Sequence, residues 1–93
     1  MPEDPEKKRL RKAKARAREL LTTSNHIVIP LVYPIFDFLV IRKKEIRLIT
    51  IATSDPSDHE KRAIAGFRCA EMCTKEVWIK RRNSDDFEIR EIA

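Results

Sequence analysis

Asp37 is the side chain best placed to do chemistry. It stands in the apolar run Pro34-Ile35-Phe36-Asp37-Phe38-Leu39-Val40-Ile41, so its carboxylate sits at the mouth of a hydrocarbon-rich strand. Such a group costs free energy unless it is ion-paired, hydrogen-bonded or bound to a metal, which makes Asp37 the candidate metal ligand. Cys69 and Cys73, spaced i, i+4 on a predicted helix, form a nominal zinc set with His26 and His59. That spacing is unlike the Cys-x2-Cys pairs of structural zinc sites. Reduced core cysteines in a cytosolic protein and solvated or capping histidines are the expectation. Spacing defines no serine, histidine and acid arrangement, so a hydrolase triad has no support.

The cations carry the second signal. Eight positive residues and no acid lie between Lys7 and Arg18, and further groups stand at Arg42-Lys43-Lys44 and Lys80-Arg81-Arg82. Lys8, Arg11, Lys12, Arg42, Lys43, Lys44, Lys80, Arg81 and Arg82 are the candidate nucleic-acid contacts. Such residues neutralise backbone phosphates with release of counterions, giving salt-sensitive and largely sequence-independent binding to DNA or RNA. The two tripeptide groups both end strands at hairpin turns and are expected to form one rim. Clustered charge also serves simply to keep a small protein in solution. Tyr33 and Trp78 offer flat surfaces for bases, but Trp78 is expected to cover the sheet's other face or a dimer interface.

Composition bounds the rest. Ninety-three residues make one small domain, and 42% hydrophobic with 38% charged residues argues for a folded chain. A single glycine excludes glycine-rich phosphate loops, and with them a nucleotide cofactor. The net charge of +5 favours a polyanionic partner. The amino end is charged and lacks an apolar core segment, so no signal peptide is expected and a cytoplasmic location is. The longest apolar stretch, Ile27 to Val40, is broken by prolines and Asp37, so no membrane partner is expected.

The elements that must hold these residues follow from periodicity. Residues 1–6 are expected to form a disordered tail, and residues 7–93 a single domain. Lys7 to Leu21 is rich in helix formers and carries one apolar stripe through Leu10, Ala13, Ala17, Leu20 and Leu21. Strands are expected over Ile27–Val32, Phe36–Ile41 and Ile46–Ile51, with the second central and covered on both sides. Ser57 and Glu60 fit a capping box for a helix after Asp55-Pro56, whose apolar line runs through Ala63, Phe67 and Ala70 with Ile64 and Met72 beside it. Strands at Glu76–Lys80 and Phe87–Ile92, joined by an Asn83-Ser84-Asp85-Asp86 turn, close the chain. The order αβββαββ makes an α/β fold with a mixed central sheet flanked by helices. A small sheet with apolar residues on both faces often completes its core by dimerisation, so a homodimer is also expected.

This order resembles the core of the restriction-endonuclease-like, or PD-(D/E)xK, superfamily, closest in layout to archaeal Holliday-junction resolvases. The resemblance covers residues 7–92. It implies an acid on the second strand and a Glu-x-Lys on the third. Asp37 takes the first place, with Phe36 before it and Pro34 nearby; Thr50 stands for the glutamate and Ala52 for the lysine. The reaction that the resemblance implies needs two carboxylates for Mg2+ and a lysine to help orient the attacking water. Threonine offers one neutral oxygen and alanine none. The expectation is a catalytically silent nuclease-fold protein, nucleic-acid-binding or accessory, with no cofactor. The enzymatic alternative is a divergent Mg2+-dependent nuclease rebuilt around Asp37 with Asp55, Asp58, Glu60 or Glu19; Glu45 lies at the wrong end of its strand. Asp58 and Glu60 otherwise serve the helix dipole. A third reading is a protein-interaction or structural module.

Overall fold

The helix formers of the amino-terminal segment lie in one helix, α1 (Pro5–Thr23), of a computed structural model that describes residues 4–32 and 35–93. Asp4 caps it by accepting the Glu6 amide at 3.0 Å, and Pro5 follows where a missing N–H costs nothing. The helix therefore starts two residues before the expected Lys7, and Pro5 and Glu6 belong to it rather than to a tail. Residues 1–3, Tyr33 and Pro34 lie outside the described residues. Thr22, Thr23 and Ser24 turn their hydroxyls back onto carbonyls of the last turn, and Asn25 adopts φ 63°, a left-handed state that asparagine tolerates.

The remaining order is β1 (Ile27–Pro30), β2 (Phe38–Arg42), β3 (Glu45–Ala52), α2 (Asp58–Gly66), β4 (Cys73–Lys80) and β5 (Phe87–Glu91). The five strands form one sheet in the order β1-β2-β3-β4-β5. β3 and β4 are parallel, and every other neighbouring pair is antiparallel. The parallel pair requires a crossover, which α2 supplies. α2 opens with the expected capping box between Ser57 and Glu60.

Alternation along the strands divides the core in two. Under α1, Ala13, Ala17 and Leu21 meet Phe38, Val40, Ile49, Ile51 and Trp78. Under α2, Ile64 meets Phe36, Leu48, Val77 and Ile79. The small alanines let α1 approach the sheet closely, so a narrow stripe suffices to seat a helix that is otherwise cationic.

Four expectations are corrected here. β1 stops at Pro30, which has no N–H to continue a ladder. β2 is covered fully on the α1 face alone: Leu39 and Ile41, pointing the other way, stay half-buried. α2 ends at Gly66, and Lys75 explains why. Its side chain is buried, and its ammonium donates to the carbonyls of Ile64, Ala65 and Phe67 at 2.9, 3.0 and 3.0 Å, closing the helix terminus. Cys69 thus lies in the loop after α2 and Cys73 opens β4, and neither is helical. Trp78 covers the sheet face opposite Val77 and Ile79, as expected, at 6% exposure and tilted against Phe87 with ring centroids 5.4 Å apart.

Candidate nucleic-acid interface

Asp37 lies just before β2, and both of its oxygens are engaged. Oδ2 accepts the Ile51 amide at 2.7 Å, and Oδ1 lies 3.0 Å from Lys14 Nζ of α1. Its backbone also joins the sheet, through Asp37 N–H to the Ile49 carbonyl and Leu31 N–H to the Asp37 carbonyl. The carboxylate ties the entry of β2 to the end of β3. Thr50 donates its hydroxyl to the Ile35 carbonyl at 2.6 Å, pinning the same connection, and Ala52 packs into the α2-side core.

The other acids have partners of their own. Asp55 lies 2.8 Å from Arg81 and 2.9 Å from Arg90, and the hydrogen bond from Arg81 holds its carboxyl below the usual range. Glu60 completes the capping box, Asp58 stands in the first turn of α2, and Glu19 pairs with Arg16. Among the described residues no three His, Cys, Asp or Glu side chains gather as a metal site.

A cleft of about 340 Å³ lies between α1 and the carboxyl ends of β3 and β4, lined by Arg9, Lys12, Ala13, Arg16, Thr53, Lys80, Arg81 and Arg82. Six of its eight lining residues are cationic and none is acidic. Lys12, Lys80, Arg81 and Arg82 are brought together here. Arg9 and Arg16 were not among the candidates, although their spacing marks them. Residues 9, 12 and 16 each precede by about one position the buried stripe at 10, 13 and 17, so they share one flank of the helix. The opposite flank carries Lys14 and Arg18 beside Asp37, in a smaller groove with Pro30, Leu31 and Phe38.

The local electrostatics grade these cations. Arg81 is held by Asp55 and by Glu88 at 3.3 Å, which raises its pKa further. Lys80 donates to the Ser84 and Arg81 carbonyls, which fixes the turn after β4. Arg9 and Arg16 pair with Glu6 and Glu19 along the helix. Lys12 and Arg82 make no ion pair with the described residues. The helix has no basic residue in its last turn, where cations would stabilise it.

Other candidates lie elsewhere. Lys8 and Arg11 are exposed on α1 but do not line the cleft. Arg42, Lys43 and Lys44 flank the β2–β3 turn, at the start of β3, whereas Lys80 to Arg82 follow β4 beside the end of β3. Because β3 and β4 are parallel, the two tripeptides stand at opposite ends of the sheet, about 25 Å apart at ~3.3 Å per residue. They do not form one rim. A run of short strands does not reveal which neighbours are parallel, and that relation decides the matter.

One polar network lay beyond the sequence reading. Arg47 grips Glu76 across β3 and β4 with hydrogen bonds of 2.7 and 2.6 Å, stacks 5.7 Å from the Trp78 ring and reaches His26 at 3.5 Å. Trp78 N–H and Thr74 O–H also donate to Glu76. Burial pushes the Glu76 pKa up, but these donors and the Arg47 charge outweigh it and hold the group below its usual range. Among the described residues His26 Nδ1 is the buried side-chain polar atom left without a hydrogen-bond partner.

No family model, no curated protein and no solved structure matches this chain.

Proposed function

We propose that this chain is a nucleic-acid-binding or accessory protein on a restriction-endonuclease-like frame, without nuclease activity of its own. The observation that carries the binding reading is the cleft with six cations and no acid between α1 and the ends of β3 and β4. Its ligand is a phosphate backbone. Among the described residues the aromatic side chains are packed inside: Phe36, Phe38 and Trp78 are buried, and Phe67 and Phe87 lie against the two cores. Contacts of this kind position a polyanion and carry little sequence information.

Two observations support catalytic silence. Asp37 spends its oxygens on the Ile51 amide and Lys14, and Thr50 spends its hydroxyl on the Ile35 carbonyl. The frame is supported more coarsely, by an α/β architecture in which α2 crosses between two parallel strands with a helix on each face.

Fluorescence anisotropy with labelled duplex DNA and RNA tests the binding reading. The expected result is a Kd that weakens with salt, with log K falling by about 0.9 per log unit of salt for each phosphate neutralised. The double variant K12A/R82A is expected to lower that slope by about two. No shift at low salt would sink the reading. Incubation with Mg2+ or Mn2+ and branched, single-stranded or duplex DNA tests silence: cleavage that disappears in D37A would overturn it.

A further inference from the structure

We infer that a second copy of this chain covers the bare half of the sheet face on which α2 lies. The register places Ile27 opposite Ile41, Ile41 opposite Ile46, and Ile29 opposite Leu39, and alternation puts all five on the face away from α1, because Val28 and Val40 between them pack under that helix. α2 is nine residues long and sits over β3 and β4; of the strand residues of β1 and β2 only Leu39 joins its core, which leaves Ile27, Ile29 and Ile41 outside it. Ile27 is 62% exposed and Ile29 41%, and Val32, just beyond β1, is wholly exposed.

Area and charge together select the occupant. These side chains present on the order of 500 Å² per copy, the upper end of what a monomer leaves bare, and two such faces bury about 1,000 Å², the lower bound of a specific interface. The five strand residues are uncharged on a chain of net charge +5, so this face lacks a charge with which to choose a foreign partner. It also lies on the side opposite the cationic helix. A twofold contact here turns both α1 helices outward and separates them by two sheets, whereas contact through α1 would bring the cations together. Face packing is favoured over edge pairing, since β1 has four residues and ends in Pro30.

Sedimentation velocity on the full chain, from about 5 to 200 µM, reads the outcome. The expected result is reversible association to twice the 10.9 kDa chain mass, with micromolar midpoint. The variant I27T/I29T, which keeps β-branched side chains at two exposed positions, is expected to weaken association at least tenfold with an unchanged far-UV spectrum. I27D/I29D is expected to abolish it. I89D, at another exposed apolar position on β5 at the far edge, is expected to associate like the wild type. A wild type that stays at 10.9 kDa throughout overturns the inference, and so does a dimer dissociated by I89D but not by I27D/I29D. Because Ile27 and Ile29 lie outside the cleft, DNA affinity per chain is read separately and does not bear on this result.

Discussion

Lys14 Nζ lies 3.0 Å from Asp37 Oδ1, while the Ile51 amide donates to the second oxygen at 2.7 Å. The two contacts are unequal in consequence. Lys14 is 42% exposed, so the ion pair is screened and contributes little. The amide bond lies between the entry of β2 and the end of β3, and its loss strands a donor. D37A is therefore expected to lower stability by about 1–3 kcal/mol in urea denaturation, and K14A by less than about 1 kcal/mol. D37N keeps a carbonyl for the Ile51 N–H and is expected to fall between them. Equal losses for D37A and K14A would show that the ion pair dominates.

The Arg47–Glu76 pair gives a pH dependence whose sign is fixed by the lowered pKa of Glu76. A carboxyl whose folded pKa is depressed contributes stability above its unfolded pKa and loses it as pH falls through the folded value. Stability is expected to decline below about pH 4.3, the unfolded glutamate value. In E76Q that part of the decline is expected to be absent, at a cost of about 3 kcal/mol at neutral pH from leaving Arg47 half-buried and unpaired. Urea midpoints from pH 7 to pH 3 for both proteins measure this. Parallel curves would refute it.

Much of this frame is legible in the chain because local signals agree. The helix formers, the Ser57–Glu60 capping box and the apolar runs around Val40, Ile49 and Ile79 locate the helices and most strands. What escaped depends on pairings distant in sequence. Lys75 reads as an ordinary solvated cation until β4 is placed beside the end of α2, where it replaces the helix's missing partners. Arg47 and Glu76 are 29 residues apart and meet only because β3 and β4 are parallel. The same relation separates Arg42–Lys44 from the cleft. Arg9 and Arg16, by contrast, were readable from helical spacing alone, flanking Ala13 and Ala17.

Lys75 supplies a third prediction. Its three carbonyl partners close α2, and K75M leaves them without a donor in a buried setting. The expected cost is about 2–4 kcal/mol, with amide exchange rising first over residues 64–69. A cost below about 0.5 kcal/mol would mean that the helix end finds other donors.

Cys73 is expected to be a slow nucleophile. Burial first, and then its hydrogen bond with Cys69, push its thiol pKa up to about 11. At pH 7.5 its thiolate fraction, and so its alkylation by iodoacetamide, is expected to be on the order of 100-fold below that of a peptide cysteine. Peptide mapping by mass spectrometry follows Cys73 separately from Cys69. Labelling at the peptide rate would contradict the burial.

The ion-pair pattern around the cleft predicts an order among its cations. Arg81 is already held by Asp55 and Glu88, so a phosphate must compete with two carboxylates for it. Lys12 and Arg82 face no such competition among the described residues. R81A is therefore expected to weaken duplex binding less than twofold at 50 mM salt, and K12A or R82A about three- to tenfold, one phosphate contact each. Substituting Lys43 and Lys44, at the other end of the sheet, is expected to match R81A. D55N is the sharpest member of the set. It removes a charge that competes for both Arg81 and Arg90, so it is expected to raise affinity about two- to fivefold and steepen the salt dependence. Unchanged binding in D55N, with R81A as damaging as R82A, would mean that Arg81 reaches the ligand despite its carboxylates and that the cleft is not graded by them.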